Sequence, residues 1–158
     1  MSKLTGTNHG DAANKLMSYY RDQAKNLEVS GHFYMAAVAL AFAVETAVLV
    51  YLLVEFGEDN GGELQIPSSV GFSDLIEAAN EVDVLAAPID CPSHVRDDNQ
   101  KPKYLARDAV DKIRRFRNLI HPARALKEGY DPRTFSQDKL NELWDMSESV
   151  MHSLMYYL

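Results

Sequence analysis

Cysteine is nearly absent from this sequence, which has one, Cys91, among 158 residues. A single thiol cannot form a disulfide within the chain, so the fold must depend on a hydrophobic core. A chain of this length buries enough surface for one such core and fits a single domain. The N-terminal stretch MSKLTGTNHG also lacks the charged, apolar and small-residue order of a signal peptide. We therefore predict a cytoplasmic protein.

Positive charge is also scarce, because 16 Lys and Arg residues face 23 Asp and Glu residues, for a net charge of -7. Any contact with nucleic acid must therefore be local. The glycines at 61 and 62 are not followed by the Lys-Ser/Thr of a nucleotide-binding loop. Cys91 and His94 lack the second pair that a zinc site needs, and no nucleophile elbow for acyl transfer is present. We predict neither a metal nor a cofactor.

One long apolar run, residues 33 to 56, has Glu45 as its only charge over the 22 residues from Phe33 to Val54. That length could span a bilayer. However, an acid near the membrane centre costs about 2.5 kcal/mol or more, and neither flank carries a dense Lys/Arg cluster. The run is therefore predicted to be a buried helix in a soluble core, with no membrane partner.

Apolar residues recur at helical spacing in four segments, a fifth, residues 32 to 56, is apolar nearly all round, and no segment alternates as a strand would. The predicted helices are residues 11 to 29 closed by Gly31, 32 to 56 ended by a left-handed Gly57, a short helix capped by Ser73, a helix from Pro102 to His121, and a last helix capped by Ser136. Residues 58 to 71 and 87 to 100 are predicted to be loops. The sequence thus predicts an all-α, single-domain antiparallel bundle of about five helices spanning 11–158, after a flexible N-terminus at 1–10.

The fourth predicted helix has an apolar line with steps of 4, 4, 3 and 4, formed by Leu105, Ala109, Ile113, Phe116 and Ile120. It is expected to end at His121, because Pro122 disfavours the helical conformation in the residue before it. The inner face of the last helix is predicted to contain Leu140, Leu143, Trp144, Ser147, Met151, Leu154 and Leu158.

A basic segment lies around that helix end, since six Lys or Arg residues and no acid occur from Lys112 to Lys127. At 100° per residue, Arg114, Arg117, Asn118 and His121 form one strip beside the apolar side, whereas Arg115 points away from the core. A half-buried imidazole between guanidinium groups suits a phosphate, with Lys112 and Arg124 as further phosphate-binding or RNA-binding residues. The open alternative is that Arg117 and Arg114 pair with acids on neighbouring helices, such as Glu45, and that His121 caps the helix C-terminus.

The run Arg117-Asn118-Leu119-Ile120-His121, near the end of a late helix in a small all-α chain, resembles the HEPN superfamily. The alanine-rich helix carrying Glu45 and the segment SDLIEAANEVDVL extend the likeness over about residues 12 to 158. The resemblance implies a metal-independent RNase whose cleavage site forms where two copies meet. It implies that Arg117 binds the scissile phosphate, that Asn118 is a polar partner and that His121 is the acid or base. It also implies a toxin or phage-defence role with an antitoxin or other partner protein.

The spacing departs from the family pattern, because three residues separate Arg117 from His121, one fewer than usual, whereas Arg115 and Arg114 leave five and six. The helical geometry favours Arg117 supported by Arg114. We therefore expect an RNA-binding, HEPN-like homodimer, and a metal-independent endoribonuclease if Arg117, Asn118 and His121 act together. The alternative is a non-catalytic HEPN-like module for protein interaction or regulation.

Overall fold

A computed structural model describes residues 2–57, 61–86, 88–89 and 104–156. Its helices are α1 Gly6–Val29, α2 Phe33–Val50, α3 Phe72–Glu81, α4 Ala106–Asn118, α5 Pro122–Glu128 and α6 Gln137–Tyr156. The short strands β1 Lys3–Thr5 and β2 Gln65–Pro67 form one pair, and β3 Pro88–Ile89 and β4 Tyr104–Leu105 form another. The all-α prediction is confirmed, with six α-helices in these ranges instead of about five.

Helix α2 forms the centre of the core and contacts α1, α3, α4 and α6. Its fully buried residues are mostly small, which lets neighbouring backbones approach closely; they include Ala36, Ala37, Leu40, Ala43, Val44, Ala47 and Val48. Within the described ranges, Phe33–Phe56 is the one segment long and apolar enough to cross a membrane, and 72% of its most apolar window is buried inside the fold. This burial is what the sequence predicts for a core helix.

Within the segment 1–10 that is predicted to be flexible, residues 3 to 5 lie in β1 and residues 6 to 10 lie at the start of α1. The backbone of β1 pairs with β2, with Leu4 opposite Ile66, so the predicted loop at 58 to 71 contains a strand. Helix α1 begins at Gly6 because Thr5 is its N-cap, and the Thr5 side chain accepts a hydrogen bond from the Asn8 backbone nitrogen at 3.3 Å. The boundary predicted at residue 11 was therefore five residues late.

The ends of the first two helices follow different rules. Gly31, which follows α1, has a positive φ of 80°, as the sequence suggested for a helix stop. The prediction for Gly57 was wrong, because α2 passes into a π-helical turn at Tyr51–Phe56 and Gly57 has a φ of -62°. A Cβ on Gly57 would lie 3.3 Å from the Leu64 backbone nitrogen, so this glycine permits close approach of the chain rather than a left-handed bend.

Helix α3 begins one residue before the expected cap. Its N-cap is Gly71 and not Ser73. The Asp74 carboxylate accepts a hydrogen bond from the Gly71 backbone nitrogen at 3.1 Å, and a carboxylate in the first turn is favoured by the helix dipole. The start of α3 is thus stabilised by the Asp74 carboxylate and not, as predicted, by the Ser73 hydroxyl.

Helices α4 and α5 meet at a sharp turn. Helix α4 ends at Asn118, three residues earlier than predicted, and Pro122 is the first residue of α5. Proline suits a first helical position, because its fixed φ is helical and its missing N–H has no partner there in any case. The predicted apolar line is confirmed at Ala109 and Ile113, which are fully buried. Leu105 lies in β4, while the predicted start at Pro102 falls outside the described residues.

Helix α6 closes the bundle. The predicted cap is confirmed, because Ser136 Oγ accepts a hydrogen bond from the Lys139 backbone nitrogen at 3.3 Å. The predicted inner face is buried or half-buried from Leu140 to Leu154, whereas Leu158 falls outside the described residues, as do Cys91 and His94. Arg21 of α1 holds Glu148 of α6 by two hydrogen bonds of 2.8 and 3.1 Å, which fixes α1 against α6.

Candidate functional site

The C-terminal end of α4 is anchored by aromatic packing. The Phe116 ring lies 6.0 Å from Tyr34 of α2 and 5.4 Å from Phe135, measured between ring centroids. Tyr34 also contacts Phe135 at 6.0 Å, so the three rings form a closed cluster. Such aromatic contacts stabilise by about 0.5–1.5 kcal/mol beyond their buried area. The residues that follow Phe116 are therefore held in a fixed position relative to α2.

Arg117 turns from this anchored end toward α2. Its Nε lies 3.3 Å from Glu45 Oε2, with the Arg117 side chain 26% exposed and that of Glu45 18% exposed. The guanidinium also lies 5.7 Å from the Phe42 ring centroid. The Arg117 N–H is not aligned on the carboxylate, so the contact is an ion pair rather than a hydrogen bond. Burial raises the pKa of Glu45, and the charge of Arg117 partly opposes this effect.

Arg114 and Arg115 share one carboxylate on their own helix. Arg114 Nη2 lies 2.6 Å from Asp111 Oδ1, and Arg115 Nε lies 2.9 Å from Asp111 Oδ2. The Arg114 side chain is 25% exposed and that of Arg115 is 73% exposed. The prediction that Arg115 points into solvent is therefore confirmed. The pairing with a neighbouring helix that the sequence left open is present for Arg117, with Glu45, whereas Arg114 pairs with an acid of its own helix.

His121 lies on the turn between α4 and α5, where it is the N-cap of α5. Its backbone nitrogen donates a hydrogen bond to the carbonyl oxygen of Asn118 at 3.2 Å, so one tight turn joins the two residues. The predicted half-buried imidazole is wrong, because His121 is exposed while Asn118 is half-buried. The prediction failed because α4 stops early, so the 100° rotation per residue no longer applies beyond Asn118.

The remaining residues predicted to bind phosphate lie on either side of this turn. Arg124, in the first turn of α5, forms an ion pair with Glu128 at 2.8 Å and is half exposed. Lys112 is an exposed residue of α4. Around the turn, four guanidinium groups share three carboxylates: Arg114 and Arg115 with Asp111, Arg117 with Glu45, and Arg124 with Glu128. Positive charge remains in excess there.

The arrangement divides the predicted site into two layers. Arg117 and Arg114 are three-quarters buried and held by carboxylates, whereas Arg115, His121 and Arg124 are accessible to a ligand. Guanidinium groups bind phosphate oxygens with paired hydrogen bonds, and an exposed imidazole can exchange protons with a ligand. Within the described residues, no group of His, Cys, Asp and Glu side chains is placed to hold a metal ion. The accessible chemistry at this turn is anion binding and proton transfer.

Two residues that organise the site were missed by the sequence analysis. Asp111 lies three and four residues before Arg114 and Arg115, which is the spacing of neighbours on one helix face, so its pairing was readable. Phe42 precedes Glu45 by three residues and therefore shares its face of α2, but no sequence pattern connects it with Arg117. That contact depends on how α2 and α4 cross.

Protein-family models, curated proteins and solved structures were each compared with this chain, and none of the three comparisons finds a match. The family resemblance therefore rests on the Arg117 to His121 run and on the helices that surround it.

Proposed function

We propose that this protein is an HEPN-like, RNA-binding protein that acts as a dimer and contacts RNA through the basic turn between α4 and α5. The observation that carries the proposal is the exposed His121, on the turn that joins the helices of Arg115 and Arg124, whose guanidinium groups are also accessible, in a chain whose net charge is -7. Local positive charge on an acidic protein favours a polyanion held at one place. An RNA backbone fits this pattern.

Cleavage is the catalytic extension of this proposal. The RNA 2′-hydroxyl would attack the adjacent phosphorus, the bond to the 5′-oxygen would break, and the products would end in a 2′,3′-cyclic phosphate and a 5′-hydroxyl. His121 would accept the proton of the 2′-hydroxyl or donate one to the leaving oxygen. Arg117 would stabilise the charge that develops on the phosphate. Asn118, one turn before His121, would be the polar partner that orients the imidazole.

A second candidate is a non-catalytic HEPN-like module for protein interaction or regulation. The specific observation in its favour is that Arg117 is paired with Glu45 and Arg114 with Asp111 inside the same chain. An arginine in an internal ion pair has some of its N–H donors occupied, so fewer of these donors are available for a scissile phosphate. In this candidate function the two arginines stabilise the fold through their ion pairs, and the exposed turn contacts another protein.

Incubation of the purified protein with labelled single-stranded RNA in EDTA separates these candidates. Wild type would be compared with His121→Ala and with His152→Ala, a matched control because His152 is an exposed histidine on α6. The nuclease proposal expects wild type and His152→Ala to produce cyclic-phosphate ends, and His121→Ala to lose about 100-fold or more of the rate. Cleavage that survives in His121→Ala would contradict the assigned role.

Binding measured by fluorescence anisotropy at several salt concentrations tests the RNA contact without cleavage. We expect the affinity to fall steeply with salt, and Arg115→Gln with Arg124→Gln to reduce the slope by about 0.7 for each phosphate that the variant no longer neutralises. Salt-sensitive binding without cleavage would leave a non-catalytic RNA-binding protein. Absence of both binding and cleavage would exclude RNA and leave the protein-interaction candidate.

A further inference from the structure

Helix α1 exposes apolar side chains along one side. Leu16 is 43% exposed and Tyr19 is 56% exposed, and Ala12 is exposed beside them. Steps of four and three residues place these three residues on one side of the helix, which we call the α1 face. The neighbouring side of the helix packs into the core, where Ala13 and Ala24 are buried. A contiguous apolar side on a long surface helix is typical of an interaction surface.

The charges beside the α1 face are complementary to a second copy of it. Lys15 and Asp22 lie seven residues apart, on the same flank of the α1 face. If two such helices cross antiparallel with Leu16 against the partner's Tyr19, Lys15 comes opposite the partner's Asp22 on each side of the two-fold axis. In a parallel pair, Lys15 would instead lie level with the partner's Lys15, and Asp22 would lie level with the partner's Asp22. The present partner of Lys15, Asp11, forms a solvent-exposed pair at 3.0 Å that is easily exchanged.

The charge balance of α1 distinguishes a protein partner from RNA. The helix carries three acidic and three basic residues: Asp11, Asp22, Glu28, Lys15, Arg21 and Lys25. A helix with no net charge offers no attraction to a phosphate backbone, whereas alternating signs suit pairing with a second copy. The occupant that fits the α1 face is therefore this same chain.

The α1 face is continuous with the Arg117 site. The Tyr19 ring lies 5.9 Å from Tyr20, Tyr20 lies 5.5 Å from Phe42, and the Arg117 guanidinium lies 5.7 Å from Phe42. Adjacent side chains therefore form an unbroken row from α1 across α2 to the end of α4. A copy docked on Tyr19 would therefore lie at the end of a row of side chains that leads to Arg117.

We propose that two copies of the chain associate through their α1 faces in an antiparallel arrangement, with Leu16 packed against the partner's Tyr19 and Lys15 paired with the partner's Asp22. This inference names the contact surface of the dimer in the proposed function and rests on that function only for the expectation that a dimer forms. Each copy thereby brings the Tyr19 end of its own aromatic row to the interface.

Sedimentation equilibrium of the full chain without RNA tests the contact. Wild type is expected at twice the 17.7 kDa mass of one chain. Leu16→Asp is expected to raise the dimer dissociation constant by about 30-fold or more, because a buried apolar contact becomes a charge on both sides of the axis. Its helical circular dichroism should not change, since Leu16 is exposed in the single chain. Lys25→Glu, on the other side of α1, is the matched control and should leave the mass unchanged.

Charge exchange tests the antiparallel register. Lys15→Glu and Asp22→Lys, each alone, replace two attractive pairs by two repulsive ones and should each weaken the dimer by about 10-fold. The double variant carrying both changes restores opposite charges and should recover most of the wild-type affinity. Failure of the double variant to recover affinity would overturn the register.

The remaining outcomes separate this inference from the RNA proposal. A monomeric wild type up to the millimolar range, or a dimer insensitive to Leu16→Asp, would overturn the α1 interface even if RNA binds at the basic turn. A Tyr19→Ala variant with lower RNA affinity and unchanged mass would also overturn it, because RNA would then occupy the face. A dimer with the expected variants but no RNA contact would leave the interface standing and remove the proposed function.

Discussion

Arg117 Nε lies 3.3 Å from Glu45 Oε2, so the last turn of α4 is joined to the middle of α2 by an ion pair. The pair lies beside the Phe42 ring and is mostly shielded from water. It therefore fixes the start of the basic turn, because Asn118 and His121 follow Arg117 directly in the chain. Its contribution to stability and its dependence on pH can both be measured.

A double-mutant cycle on Glu45 and Arg117 measures this ion pair. Each single change, Glu45→Ala or Arg117→Ala, should lower the free energy of unfolding by about 1–3 kcal/mol, because it leaves one partly buried charge without its partner. The double change should cost about 1 kcal/mol less than the sum of the two. Urea unfolding followed by circular dichroism gives these values. Strict additivity would mean that the pair carries no coupling.

The pH dependence of stability should change in Glu45→Gln. Burial raises the native pKa of Glu45 above its ordinary value of 4.5, so the native state holds this proton more tightly than the unfolded state does. The resulting stabilisation is fully present below pH 4.5 and is lost as pH rises through the native pKa. The unfolding free energy of wild type minus that of Glu45→Gln should thus decrease with rising pH above 4.5 in urea titrations. A difference that stays constant or rises with pH would contradict a raised pKa of Glu45 in the native state.

Gly6→Ala should strongly destabilise the fold. A Cβ at Gly6 would collide with the carbonyl oxygen of Leu53, a backbone atom that cannot move without shifting the π-helical turn. Overpacking of this kind typically costs about 1–3 kcal/mol. Gly62→Ala is the matched control, because nothing lies within 4 Å of a Cβ there. Thermal unfolding should show a clear loss for the first variant and little change for the second.

Ile113→Ala tests the role of α4 in the core. Ile113 is fully buried on the apolar side of the helix, so its truncation should cost about 2–5 kcal/mol. The control is Leu126→Ala on α5, where the leucine is 82% exposed. This control should change stability by no more than about 0.5 kcal/mol. Similar losses in both variants would show that α5 packs more tightly than its exposure indicates.

The sequence predicted the helices that follow from periodicity. The predictions failed where a single contact determines the residue at which a helix begins or ends. The apolar spacing on α4 and α6 identified their buried faces, because helical burial repeats every three to four residues. The end of α4 was misplaced by three residues, since Pro122 can begin a new helix as well as terminate an old one. The start of α1 was misplaced because β1 pairs with a distant strand that local patterns cannot identify.

The candidate site was predictable in composition more than in geometry. The orientation of Arg115 into solvent followed from helical rotation alone. The pairing of Arg117 with Glu45 was left open as an alternative, because residues on two separate helices meet only after packing. The exposure of His121 was not predictable, since it depends on the tight turn that replaces the last turn of the expected helix.

Helix α2 is enclosed by α1, α3, α4 and α6, and this enclosure determines how the chain tolerates being shortened. A fragment lacking α1 would expose a rod of alanine, valine and leucine side chains to water along much of its length. Such a fragment would precipitate or bind detergent rather than persist as a smaller folded unit. The bundle is therefore indivisible, and any deletion study of the basic turn must keep every helix that covers the rod.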